Sequence, residues 1–166
     1  MIIKVIGISI LIYVCIKLSR DKKKKLKNTC EYIEGIIYGL EHLKTEIMFF
    51  SALLGKALIN SSEFAGNARN LFVSSGNLLI KNPSLKLGDI FFENSECTDY
   101  ELLTILKDLG AQLGTSDTEN EIAVIDSYIE KISSVFEKCK NDYENKGKLI
   151  EKVGIITGIL IAILVL

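Results

Sequence analysis

A chain of 166 residues is long enough for one domain of ordinary size, and its 48% apolar content with a mean hydropathy of +0.29 is high for a soluble protein. The net charge of −1 gives no basis for nucleic-acid binding. The apolar residues gather at the two ends, MIIKVIGISILIYVCIKL and VGIITGILIAILVL, while Ser19 to Lys152 reads as a charged, amphipathic domain.

In chain order, residues 1–18 form the first element, an anchor helix slightly under the ~20 apolar residues of a typical span. A cleaved signal peptide is the rival reading, but SRDKKKK follows and no small-residue cleavage site does. Arg20, Lys22, Lys23, Lys24, Lys25 and Lys27 flank this block, and Lys138, Lys140, Lys146, Lys148 and Lys152 precede the terminal one. The positive-inside rule then places both flanks, and the domain between them, in the cytoplasm. The lysine run also fits a solvated face or a contact with anionic lipid. Cys15, Cys30, Cys97 and Cys139 are scattered without a C-x-x-C pair, so they read as buried or lipid-facing thiols in a reducing space rather than a disulfide framework.

Strand alternation is weak and helical spacing strong, which predicts an all-α fold. Leu26, Cys30, Ile33, Ile37, Leu40, Leu43 and Ile47 recur at three- and four-residue steps. Ser51 is a candidate N-cap for a short helix, ALLGKALIN. A third helix is expected from about Gly66 to Ile80 on Ala68, Leu71, Phe72 and Leu79, and Pro83 with Asn82 before it breaks the chain. Leu87 to Phe92 gives a brief helix or turn. Asp99 or Thr98 then caps ELLTILKDLGAQL, with Leu102, Leu106, Leu109 and Leu113 facing inward.

The next stretch, LGTSDTENEI, reads as a joint between helices. Gly114 supplies the residue after a helix ending at Leu113, and Ser116 with Glu119 forms an S-x-x-E capping box. Asp117, Glu119 and Glu121 fall in the first turn, where acids favour the helix dipole. Their spacing resembles a calcium loop, but Ile122 and Tyr128 stand where that loop needs glycine and glutamate. His42 is the only histidine, and no P-loop, G-x-S-x-G or Cys-His arrangement is present. The residues therefore call for no cofactor and no metal, and predict a protein that is not an enzyme.

The last soluble helix carries a heptad seam, Ile122, Ile125, Ile129, Ile132, Phe136, Cys139 and Tyr143. The helix is expected to run on through Ile150 into the apolar tail, residues 153–166, where Gly154, Gly158 and Ala162 form a small-residue face for helix packing in a membrane. Six acids and no Lys or Arg lie between Asp108 and Glu130. The acidic turn at Asp117, Glu119 and Glu121 is thus a candidate dock for a basic, soluble partner. The organisation expected is 1–18 anchor, 19–152 cytoplasmic helical bundle, 153–166 transmembrane tail.

Leu43-x-Thr45-Glu46-Ile47, then Leu109-Gly110 and Leu113-Gly114-Thr115-Ser116-Asp117, between a basic-flanked anchor and an apolar tail, resemble the stage III sporulation protein AB family over nearly the whole chain. The sequence departs from the family at Glu121, where glutamine is usual, near Leu54, where a proline-leucine is expected, and at Ile90-Phe91, in place of Ala-Trp. The resemblance implies a bundle of the type II secretion F-domain type, like the platform proteins of type II secretion and type IV pilus systems. It implies a place in the mother-cell membrane, in the channel complex feeding the forespore. The partners it implies are the complex's cytoplasmic sporulation ATPase and other channel-complex membrane proteins. A self-associating homo-oligomeric scaffold or small pore former, using the Gly154/Gly158 tail and the heptad seam, is the alternative.

Overall fold

The computed structural model describes the backbone of residues 2–50, 53–115 and 117–165; the side chains of residues 2–12, 15 and 50, and of several positions within 148–165, are not among those described. Among the described residues six α-helices follow one another: α1 Ile2–Phe50, α2 Leu54–Ser61, α3 Arg69–Lys81, α4 Leu87–Asn94, α5 Tyr100–Gln112 and α6 Thr118–Val165, with a 3-10 turn at Gly66–Ala68 before α3. No strand occurs among the described residues. The fold is all-α.

The first apolar block and the first amphipathic helix are one element of 49 residues. Lysine and arginine are good helix formers, and no proline interrupts them, so SRDKKKK propagates the helix instead of ending it. The helix carrying the heptad seam likewise continues into the tail as the 48 residues of α6. Among the described residues no helix is long and apolar enough to cross a membrane.

The chain divides into two units, residues 1–30 with 138–166, and residues 31–137. In the second, Ile33, Ile36, Leu40 and Leu43 of α1 are buried with Leu58, Leu71, Phe72, Phe91, Leu102, Leu106, Leu109 and Ile125. Each such side chain contributes about 1.5–3 kcal/mol by leaving water. Pairs α2–α3, α3–α4 and α4–α5 pack in sequence order. A close approach joins α4 to α5, where Gly88 and Gly110 face each other backbone to backbone and a side-chain carbon on either would strike the other helix. Ser51, the expected cap of the second helix, lies outside the described residues; α2 starts after Leu53 without a side-chain cap. The cap of α5 is Asp99, whose carboxylate accepts from the N–H groups of Glu101 and Leu102 at 2.9 and 3.3 Å.

Polar contacts hold α1 to the shorter elements. Glu46, buried in the Leu43–Ile47 segment, accepts from Asn60 Nδ2 at 2.8 Å. The Tyr32 hydroxyl pairs with Ser95 Oγ at 3.2 Å and accepts from the Glu96 N–H at 3.2 Å, pinning the α4–α5 link beside buried Cys97. Burial pushes the Tyr32 phenol and the Cys97 thiol above their ordinary values of 10.0 and 9.0. The unfolded chain therefore releases these protons at lower pH than the folded one does, so the stability they confer is intact below pH 9 and falls as pH climbs through 10. Chemical denaturation at pH 8, 9.5 and 10.5 should show that decline, and Tyr32→Phe should flatten its upper part. An unchanged slope in the variant would assign the decline elsewhere.

One expectation is corrected in the first unit. Cys30 and Cys139 are joined by a disulfide across a Cα–Cα distance of 5.7 Å and are not separate thiols. They stand 109 residues apart with no motif to link them, so only the pairing of α1 with α6 brings them together. Cys97 remains a free, buried thiol, and the side chain of Cys15 lies outside the described residues.

Candidate functional site

The turn between α5 and α6 is built by a short set of hydrogen bonds. Buried Leu113 ends α5, and Gly114 follows at φ +80°, a left-handed conformation that a side chain would strain. The Gly114 N–H donates to Glu121 Oε1 at 2.8 Å, and Thr115 Oγ1 donates to the Gln112 carbonyl at 2.7 Å. Asp117 Oδ1 accepts from the Asn120 N–H at 3.2 Å, and α6 starts at Thr118, so the cap falls at Asp117, one residue later than the S-x-x-E pattern places it. Ser116 itself lies outside the described residues.

Asp117, Glu119 and Asn120 are exposed, and Glu121 is half-buried because it reaches back to Gly114. Of the three candidate docking acids, two therefore have structural work in the turn, and Glu119 projects freely from its first helical turn. Asp126, one helical turn beyond Ile122, is partly neutralised by Lys44 of α1, Nζ to Oδ1 2.6 Å. Both groups are substantially solvated, so this pair stabilises the fold by at most about 1 kcal/mol. Sequence spacing could not reveal Lys44 as a neighbour, since it is 82 residues away.

On α6, Ile125 and Ile132 of the heptad seam are buried, and Ile122, Ile129, Phe136, Cys139 and Tyr143 are half-buried. Tyr128 and Val135 are buried as well. The helix meets two neighbours, α5 through Gln112 Nε2 to the Tyr128 hydroxyl and α1 through Lys44, and two neighbours bury a broader stripe than one seam. Gly154, Gly158 and Ala162 fall within the span of α6, and their surroundings lie outside the described residues.

Two concave features flank the turn. A shallow depression of about 520 Å³ runs along its outer side past Thr115, Asn120, Val124 and Lys131. An apolar groove of about 660 Å³, with Leu54, Ile80, Leu85 and Leu113 among its walls, lies on its other side. Periodicity did not disclose the groove, because its walls come from four helices, the α3–α4 link and the α5–α6 turn. No group of three or more His, Cys, Asp or Glu able to hold a metal occurs among the described residues.

These features define an all-helical protein whose most organised surface is a capped, acidic helix-hairpin turn. Over residues 4–166 the sequence matches the family model for stage III sporulation protein AB, and the chain belongs to that family, with a role in sporulation. No curated protein and no solved structure matches it.

Proposed function

We propose that the protein is a non-catalytic membrane platform of the sporulation channel complex, which docks a cytoplasmic ATPase onto membrane components. Residues 31–137 act as the docking bundle, of the type II secretion F-domain type. The apolar stretches 1–18 and 153–166 hold it to the mother-cell membrane, and the positive-inside rule turns residues 31–137 to the cytoplasm. The observation that carries the reading is the α5–α6 turn: acids stand exposed on a backbone fixed by Gly114, Asp117 and Glu121. A preorganised acidic surface attracts a basic partner and loses little entropy when it binds.

The test is co-purification of the full-length protein, in mild detergent, with the cytoplasmic sporulation ATPase. Glu119 and Glu130 are exposed and make no cap, so Glu119→Lys with Glu130→Lys reverses charge without loosening the turn. Binding should weaken about tenfold or more, with helicity unchanged and with a steep salt dependence in the parent. Binding indifferent to both changes would move the dock off the turn. No binding at all, together with detergent-stable oligomers that dissolve on Gly154→Leu and Gly158→Leu, would replace this reading with the self-associating scaffold.

A further inference from the structure

The near-neutral total conceals a sharp division. Residues 1–30 with 138–166 hold thirteen Lys and Arg against four Asp and Glu, while residues 31–137 hold seven against seventeen. The first unit is thus at +9 and the second at −10. In the first unit α1 and α6 lie side by side and antiparallel. The Cys30–Cys139 bond fixes one contact. A second lies where a side-chain carbon on Gly147 would come to 3.5 Å from Lys23 Cγ. Seven residues along α1 match eight along α6 between these contacts, so the register is maintained. Lys22, Lys24 and Lys25, all exposed, therefore stand level with the Lys146 stretch of α6, and two clusters remote in sequence become one basic belt.

Beyond the belt both helices continue with large apolar side chains in the open. Tyr13, Val14 and Leu18 are exposed on α1, and Val153, Ile156, Leu160 and Ile163 on α6. Arg20 to Lys25 begins two residues past Leu18, within about 10 Å along the helix. Lysine stems can follow an apolar surface while the ammonium stays among headgroups. That interval falls within the headgroup layer plus a Debye length of ~8–10 Å.

We propose that this belt binds the phosphates of anionic phospholipids, so that the protein collects such lipids around its membrane end. The partner is an anionic bilayer face, since a collar with a large excess of lysine, though Lys146 pairs with Asp142, stands next to exposed apolar side chains and fits both parts of that surface. The acidic unit, residues 31–137, gains nothing from it. The inference rests on the reading that the apolar ends lie in the bilayer. Each lysine in reach of an anionic surface favours it by about fivefold.

The experiment uses the full-length protein reconstituted in phosphatidylcholine vesicles. Spin-labelled phosphatidylglycerol and phosphatidylcholine are compared for the motionally restricted fraction at the protein. Phosphatidylglycerol should be preferred at least about fivefold at low salt, and the preference should approach unity in 1 M NaCl. Lys22→Gln, Lys24→Gln and Lys25→Gln together should remove most of it, with circular dichroism unchanged because glutamine is as good a helix former. A protein that floats with the vesicles but takes both lipids equally, or whose preference survives the triple substitution, overturns the belt alone. A protein that does not float overturns the belt and the membrane reading together.

Discussion

Gly110→Leu should unfold the packing of α4 on α5 and cost at least about 3 kcal/mol. Overpacking usually costs 1–3 kcal/mol because side chains can rotate away. Here the obstacle is the backbone of Leu87 and Gly88, which has no rotamer to change. The two helices must separate, and Leu102, Leu106 and Leu109, all buried, are partly returned to water. The consequence extends to the α5–α6 turn, since Leu113 and Gly114 continue directly from α5. Urea denaturation followed by circular dichroism gives the measurement, with Ala111→Leu, at an exposed neighbouring position, as the control. Equal stability of the two variants would mean that α4 and α5 do not touch at this glycine pair. If the turn docks the ATPase as proposed, binding should fall in Gly110→Leu along with stability, whereas Glu119→Lys should lower binding alone.

Cys30→Ser should destabilise the oxidised protein by about 2–5 kcal/mol. In the chain-entropy description, a bond closing a loop of roughly 100 residues restricts the unfolded chain by about 4.7 kcal/mol, and less is usually realised. Cys139→Ser should cost the same, and the double variant no more than either, because the two residues share one bond. Dithiothreitol should reproduce the loss in the parent and do nothing to the variants; a parent insensitive to reductant would sink the assignment. The same pair reports on orientation. A reducing cytoplasm keeps such thiols open, and an oxidising compartment keeps them closed. Acid-quenched cells treated with an alkylating reagent should show Cys30 and Cys139 modified if the proposed cytoplasmic placement is right. A pair protected until reduction would put the first unit on the other side of the membrane.

The helices themselves were legible because each signal is local. Leu40, Leu43 and Ile47 recur at helical steps and are buried. Asn82-Pro83 stops α3 at Lys81, and Asp99 precedes α5 and caps it. Gly114 adopts the left-handed conformation expected where α5 ends. Boundaries are less legible where blocks of different polarity meet. Lysines after Leu18 change the solvent a helix faces and leave its backbone hydrogen bonds intact, so α1 passes through them. Asp117 accepts from the Asn120 N–H at the start of α6, a bond that only the placed backbone discloses, because Ser, Thr, Asp and Asn can all serve as caps.

The candidate site divides the same way. That the turn is acidic and joins two helices follows from LGTSDTENEI alone. That Asp117 and Glu121 are committed to the turn while Glu119 is free depends on where their oxygens lie relative to particular N–H groups.

By itself, then, the sequence determined the all-α class, the approximate places of six helices, the acidic joint and the family, since periodicity, capping chemistry and motif identity act over a few residues. The tertiary structure decided the rest. It chose Gly88 as the partner of Gly110, Lys44 as the partner of Asp126, and Cys139 as the partner of Cys30. It also set the antiparallel register that gathers two lysine clusters into one belt. These pairings join residues from 22 to 109 positions apart, and no local propensity reaches that far; only the burial of shared apolar faces brings such helices side by side.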